Sequence, residues 1–267
     1  RSGCRMPFMP QVGAADIIED DWRLRCNQYF IIELRHPALR ARCRAPQSTN
    51  YLLCWGKFSV SRYYLNLRSE MLAMIEGKGL RILEVGCAAG SRLLAAKEQG
   101  IAADIVGAEY VESVAAIAKK RGLKKIYTGD FSLAAKKIQS KENKFDAIIF
   151  GDVLEHMVDP WAALALAKNL LVDGGQIIAS VPNFRYWRVM YNVFFRGNFR
   201  YEADGIMDKT HLRFFCRKNI TEMLSQNYQI KKIYGTMPKS GKILRALSLG
   251  LLSEFGTVQY VVHAVKR

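Results

Sequence analysis

From residue 81 onward, apolar and polar positions change period at regular intervals. Residues 81–85, 104–108, 125–128, 145–150 and 176–181 read as strands, and the apolar Phe-Asp-Ala-Ile-Ile-Phe run predicts one buried on both faces. Between them, helical spacing predicts helices over 91–98, 111–121, 131–139 and 161–171. Asp173-Gly174-Gly175 suits a C-cap and turn after the last of these. Strands alternating with helices at this pace imply an α/β fold: a doubly wound, Rossmann-like sheet, mostly parallel, with helices on both faces.

The rhythm breaks at 182. Residues 182–216 hold Asn183, Gly197, Gly205 and many aromatics, with no clear strand. A helix over 217–226 and strands over 229–234 and 258–265 follow, and their long connection suggests a terminal antiparallel pair. Within that connection, 242–255 reads as an amphipathic helix, a pattern more often used for core packing than for anchoring. Upstream, Tyr64, Leu67, Met71, Leu72 and Ile75 recur at helical spacing over 63–75. The expected organisation is a domain over 63–267 with an aromatic and basic insertion at 182–216. An extension over 1–62 precedes it, of unclear structure apart from a short helix near 20–34.

Composition narrows this little. Half the residues are apolar, so a core can form without staples. The six cysteines form no C-x-x-C pair, and no His/Cys cluster has metal-ligand spacing, so reduced thiols and no metal are expected. No apolar run is long enough to cross a bilayer and no signal core opens the chain, which points to a cytoplasmic protein. The first residue, Arg1, suggests a fragment or a processed end.

Charge says more once divided. The net +16 splits into +5 over 1–70, +1 over 71–180 and +10 over 181–267. The basic excess in the last third would draw in an anionic partner, such as a phosphate ester, an acidic sugar, a nucleic acid or a lipid headgroup; equally, it could be a merely soluble surface.

The strongest local signal is Ile82-Leu83-Glu84-Val85-Gly86-Cys87-Ala88-Ala89-Gly90, a strand entering a turn of small residues that lets a ligand approach the backbone. Glu109 lies 19 residues after Gly90, at the end of the next strand, where a carboxylate can grip the two hydroxyls of a ribose. A dinucleotide fingerprint would continue G-x-G-x-x-G, but this turn reads Gly86, Ala88, Ser91. An adenosyl ligand without phosphates fits better. Gly129-Asp130 follows the third strand, where a carboxylate could accept from an adenine amino group.

Two longer segments, FDAIIFGDVLEHMVDP (145–160) and LLVDGGQIIASVP (170–182), resemble motifs of class I S-adenosylmethionine-dependent methyltransferases. The closest group carries D-V-L-E-H after the fourth strand and includes ubiquinone-type and glycan-associated O-methyltransferases. DKTHLRFF (208–215) is similar to the glycan-associated subset. The resemblance covers about 63–235 and implies S-adenosylmethionine as cofactor. It places Glu84, Gly86, Cys87, Ala88 and Gly90 around the methionine moiety, Glu109 on the ribose, and Tyr110 beside the adenosine. Asp130 and Phe131 would contact adenine, with Asp152 near the methionine end. Ala88 departs from the glycine more usual there, and weaker cofactor binding is the expected consequence.

Methyl transfer to a hydroxyl needs a proton acceptor. His156, following the fourth strand, is the first candidate and His211 the second; a structural hydrogen bond is the alternative role for either. The stretch over 184–199 interleaves arginines with aromatics, as a lid or substrate wall would, although a membrane-surface segment or a structural cap would look similar. The expected acceptor is a hydroxyl of an anionic small molecule or glycan precursor. A membrane-bound quinone or lipid precursor, an RNA, or cofactor binding without catalysis are the alternatives, nucleic acid being less favoured.

Overall fold

The computed structural model describes residues 68–267. The expected extension over 1–62, the helix near 20–34 and the first residues of the helix over 63–75 lie outside them. Of that last helix, α1 (Ser69–Leu72) is described.

Seven strands form one sheet: β1 (Leu80–Val85), β2 (Ala102–Glu109), β3 (Lys125–Thr128), β4 (Phe145–Gly151), β5 (Leu171–Pro182), β6 (Tyr228–Thr236) and β7 (Gln259–Lys266). Their order is β3-β2-β1-β4-β5-β7-β6. The first five run parallel, and β7 is antiparallel to both β5 and β6. The expected antiparallel pair is therefore present, with the last strand inserted one place in from the edge.

Alternation along the strands separates two cores. Leu83, Val85, Ile148, Phe150, Ile177 and Ala179 face one, against α4 (Phe131–Lys141), α5 (Pro160–Leu170) and α7 (Arg217–Ser225). Ile82, Ala147, Ile149 and Ile178 face the other, with Leu93 and Ala96 of α2 (Ser91–Glu98) and Ala118 of α3 (Glu112–Lys120). Adjacent residues go to opposite sides, so apolar side chains are needed at every position of a central strand.

Three local readings change. The helix before β5 ends at Leu170, and Asp173-Gly174-Gly175 is not its cap. Phe145 pairs with Leu171 but Ala147 with Gln176, so the residues between bulge out of the ladder within β5. Residues 182–216, in which no clear strand was expected, contain the helix α6 (Trp187–Arg196). After α6 the chain returns to the sheet, where the Phe184 N–H donates to the Phe215 carbonyl at 2.8 Å. The expected helix over 242–255 is two helices, α8 (Lys239–Leu247) and α9 (Ser253–Gly256), broken by a turn at Leu249-Gly250.

Candidate active site

The order of strands reverses between β1 and β4, where open α/β sheets bind ligands beyond the carboxyl ends of their strands. After β1 the chain turns tightly. Gly86 has φ 71°, and a Cβ there would collide with the Val153 side chain. Ala88 adopts φ 48°, a left-handed conformation costing an L-residue about 1–2 kcal/mol. Its N–H donates to Glu109 Oε2 at 2.8 Å, and Glu109 Oε1 accepts from Val111 N at 3.0 Å. One buried carboxylate thus ties the turn after β1 to the turn after β2. Burial raises the Glu109 pKa, against the pull of these backbone donors. Cys87 turns its sulfur inward, filling the space a side chain on Gly107 would need, so it can offer a ligand only its backbone. Burial pushes its thiol well above the ordinary range.

Behind this turn Glu84 Oε1 pairs with Arg92, whose guanidinium fills the space beside Gly151. Glu84 Oε2 is buried without a hydrogen-bond partner. Burial, outweighing the attraction of Arg92, lifts the Glu84 carboxyl to about 7. Asp152 sits in the left-handed region at φ 57°, a conformation Asp tolerates better than most residues. Its carboxylate accepts from Arg68 at 2.5 Å, from Ser180 Oγ at 2.9 Å and from the Gln259 amide.

The remaining residues differ in what they offer. Asp130 caps α4, accepting from Ser132 N at 2.8 Å. The Phe131 ring packs edge-on against Phe150 in the core. Tyr110 is exposed at the mouth of the turn.

His156 closes the short 3₁₀ turn Leu154–His156 after β4, and His211 reaches it from the far end of the insertion. The return strand is fixed there because Leu212 N and Arg213 N donate to the Glu155 carbonyl at 2.9 and 3.0 Å. The two imidazole centroids lie 4.7 Å apart, edge to face. His156 Nδ1 lies 3.2 Å from the Thr210 carbonyl and 3.1 Å from Thr210 Oγ1, and that hydroxyl donates to Asp208 Oδ1 at 2.7 Å. Nδ1 therefore carries the proton and Nε2 is the basic nitrogen. His211 repeats the arrangement, with Nδ1 2.9 Å from the Ile206 carbonyl. Burial, then repulsion from His211, lowers the His156 pKa. Glu155 lies beneath the pair with Oε2 buried and unpartnered, and burial together with the Asp152 charge raises its carboxyl well above the usual range. Ligand atoms of Glu155, His156 and His211 all lie within 4.8 Å of one another.

Residues 59–230, well over half of the chain, match the family described as a methyltransferase domain. The chain belongs to that family. Among curated proteins, it is similar to the ubiquinone biosynthesis O-methyltransferase of Dinoroseobacter shibae, 35% identical over 107 residues, 40% of this chain and 42% of that protein. The protein of the same name from Cereibacter sphaeroides is 30% identical over 115 residues, 43% and 46% of the two chains. The match thus spans less than half of these relatives' length. Two solved structures share the fold. A methyltransferase from Archaeoglobus fulgidus dependent on S-adenosylmethionine matches with TM-score 0.56 and 17% identity, over 77% of this chain and 93% of that one. The magnesium protoporphyrin IX methyltransferase of Synechocystis, with S-adenosylhomocysteine bound, gives 0.53 and 14%, over 79% and 90%.

The methyltransferase of Archaeoglobus fulgidus depends on S-adenosylmethionine, and this chain's own residues fit that cofactor. Glu84 Oε2 lacks a donor where the cofactor's ammonium could supply one. The turn exposes backbone rather than side chains, because Cys87 points inward and Gly86 has no room for a Cβ. No phosphate cradle is required.

Of the residues singled out from the methyltransferase sequence, Glu84, Gly86, Ala88, Gly90 and Glu109 converge on the β1 turn, while His156 and His211 meet one strand-end away. Phe131 contributes its ring to the core rather than to the turn. Arg68, Ser180 and Gln259, which satisfy Asp152, were not singled out, and neither was Glu155. Glu155 had a signal, its place inside D-V-L-E-H. The other three had none, since only folding brings 68, 180 and 259 together.

Proposed function

We propose that this domain O-methylates a hydroxyl of an anionic small molecule or glycan precursor, with His156 as proton acceptor and His211 beside it. We assign the catalytic unit to 63–267 and the cofactor contacts to Glu84, Gly86, Cys87, Ala88, Gly90, Glu109, Tyr110, Asp130, Phe131 and Asp152. The observation that carries this reading is the histidine pair, with both Nδ1 atoms held by backbone carbonyls and both basic Nε2 atoms left for chemistry.

Bound S-adenosylmethionine supplies a methyl group on a positively charged sulfur. The chain's part is to hold the acceptor oxygen in line and to take its proton. His156 Nε2 would take the O–H proton of the acceptor oxygen as that oxygen gained the methyl group, leaving the sulfur uncharged. The lowered pKa keeps His156 neutral near neutral pH, as a base must be. His211, 4.7 Å away, disfavours the imidazolium that follows, so proton release to solvent is favoured as well. Alignment can contribute about 7–11 kcal/mol and the base a factor of about 10²–10⁴.

The aromatic–arginine segment supports an anionic acceptor. Arg188 is laid over the Trp187 ring at 5.3 Å at the start of α6, while Arg185, over the Phe255 ring at 4.6 Å, is already paired with Glu254. The test starts with calorimetric titration of S-adenosylhomocysteine, with NAD as control. Transfer of a labelled methyl group to phosphorylated and nucleotide-linked sugars then compares wild type with His156→Ala. Binding of S-adenosylhomocysteine with label transfer that depends on His156 is the expected result. Undiminished transfer by the variant would remove His156 from the mechanism.

A further inference from the structure

The connection between β6 and β7 is built to present something. α8 and α9 are locked together through glycine: a Cβ on Gly241 would strike the backbone of Gly256, and one on Gly256 the backbone of Gly241. What this contact holds out is a cluster of aliphatic side chains. Ile243 is 59% exposed, Leu247 81%, Leu249 93% and Leu251 89%. Leu249 sits at φ 49°, a conformation disfavoured for a bulky residue by about 1–2 kcal/mol. A large apolar side chain is thus kept in a strained backbone with almost no packing to offset it, although glycine would fit there more easily.

Charge accompanies the leucines. Lys239, Lys242 and Arg245 recur at every third position of α8, placing a cationic stripe beside the apolar one formed by Ile243 and Leu247. Residues 237–253 contain no acid. The acid that follows, Glu254, is already paired with Arg185 at 2.5 Å and Arg217 at 3.5 Å. Lys242, Arg245 and Leu249, with Tyr234 and Met237, line an open cavity of about 550 Å³. Among the described residues, no helix is long and apolar enough to cross a membrane.

We propose that the α8–α9 hairpin docks on the surface of an anionic phospholipid bilayer. Leu247, Leu249 and Leu251 enter the acyl boundary, and Lys242 and Arg245 seat headgroup phosphate in the cavity behind them. A short amphipathic element with cations flanking exposed leucines suits an interface, where both halves of its surface are satisfied together. A purely apolar partner would leave the cations unpaired, and a purely acidic one would leave the leucines in water. This site is independent of the methyl-transfer reading, and neither result depends on the other.

The test is flotation of the full chain with vesicles of phosphatidylcholine alone or mixed with phosphatidylglycerol. Wild type should float with the mixed vesicles and not with the neutral ones, and added salt should weaken binding. The double variant Leu249→Gly, Leu251→Ser should lose at least about tenfold in partitioning while its Tm stays level or rises, because glycine relieves the strain at 249. Lys242→Ala and Arg245→Ala should each cost about fivefold. Failure of wild type to float, equal flotation on neutral vesicles, or undiminished binding by the leucine variant would each overturn the proposal. So would a concentration-dependent dimer that the leucine variant abolishes in a chain that does not bind lipid, since the hairpin would then meet a second copy.

Discussion

The two halves of this sheet edge were built in different ways. The cofactor half, at the ends of β1 and β2, is a local structure. Strand, turn and helix follow within a few residues, and the turn is tied to the next strand end through the Ala108 carbonyl and Glu109, and to Arg121, which donates to the Ala89 carbonyl. The half proposed to meet the acceptor, after β4 and β5, is assembled across the chain. His156 meets His211 only because the insertion leaves the sheet through α6 and returns to the Glu155 carbonyl. A local site is specified by spacing and a returning one by packing. The first can therefore be read before the fold is known and the second cannot.

The largest expected effect tests the cofactor half alone. In Glu109→Ala, two backbone donors lose a buried charged acceptor and both turns lose their common tie. Hydrogen bonds to charged groups contribute roughly 1.5–3 kcal/mol each, so calorimetry should show S-adenosylhomocysteine binding weakened by about 100-fold or more. Near-wild-type affinity would mean that the two turns stand without their carboxylate, and this half would be still more local than its Glu109 bonds suggest.

His156→Ala tests the other half, and should leave that affinity unchanged while lowering kcat by about 10²–10⁴. Its pH dependence sharpens the point. Protonated His156 cannot accept a proton, so activity should fall as pH falls through its pKa. That acid limb should lie below the ordinary imidazole value of 6.5, because burial and His211 push the pKa down. In His211→Asn the limb should move upward, since the repulsive neighbour is gone. A limb that stays in place would uncouple the pair.

Chelation gives a smaller expected effect and a clear division. With the proton taken by an imidazole, EDTA should leave kcat unchanged. Loss of activity that manganese or zinc restores would instead assign Glu155, His156 and His211 to an ion, which their convergence within 4.8 Å would then serve. Sequence spacing gave no hint of this cluster, as 55 residues separate His156 from His211.

How much could be read in advance follows the same division. The central parallel strands were legible because each holds an apolar run, β3 (Lys-Ile-Tyr-Thr) only because it keeps the strand–helix alternation, and Glu84, Gly86 and Glu109 because strand ends fix their place. The helix α6 was missed although Val189, Met190 and Val193 keep helical spacing and pack together, because exposed aromatics such as Phe194 and Phe195 mask that stripe; Val189 is its one buried residue. Asp173-Gly174-Gly175 was misread because glycines that suit a C-cap suit a bulge equally. The partners of Asp152 were beyond reach for the reason that hid the His211 contact: they come from three distant elements.

Ala88 gives the smallest effect. Its place was expected to favour glycine, and φ 48° shows why. Replacing it by glycine removes about 1–2 kcal/mol of left-handed strain but returns roughly 0.4–1 kcal/mol of conformational freedom to the unfolded chain. The net gain for Ala88→Gly is at most about 1.5 kcal/mol, or a few degrees in Tm for a domain of this size. The same change opens the turn where a ligand must approach, so S-adenosylhomocysteine affinity should rise a few-fold with it. A rise in Tm without a rise in affinity would show that the Ala88 methyl lies clear of the cofactor and that its cost is conformational alone. A fall in Tm would show that the Glu109 bond to the Ala88 N–H needs the restriction alanine imposes, making the strained residue part of what holds the two turns together.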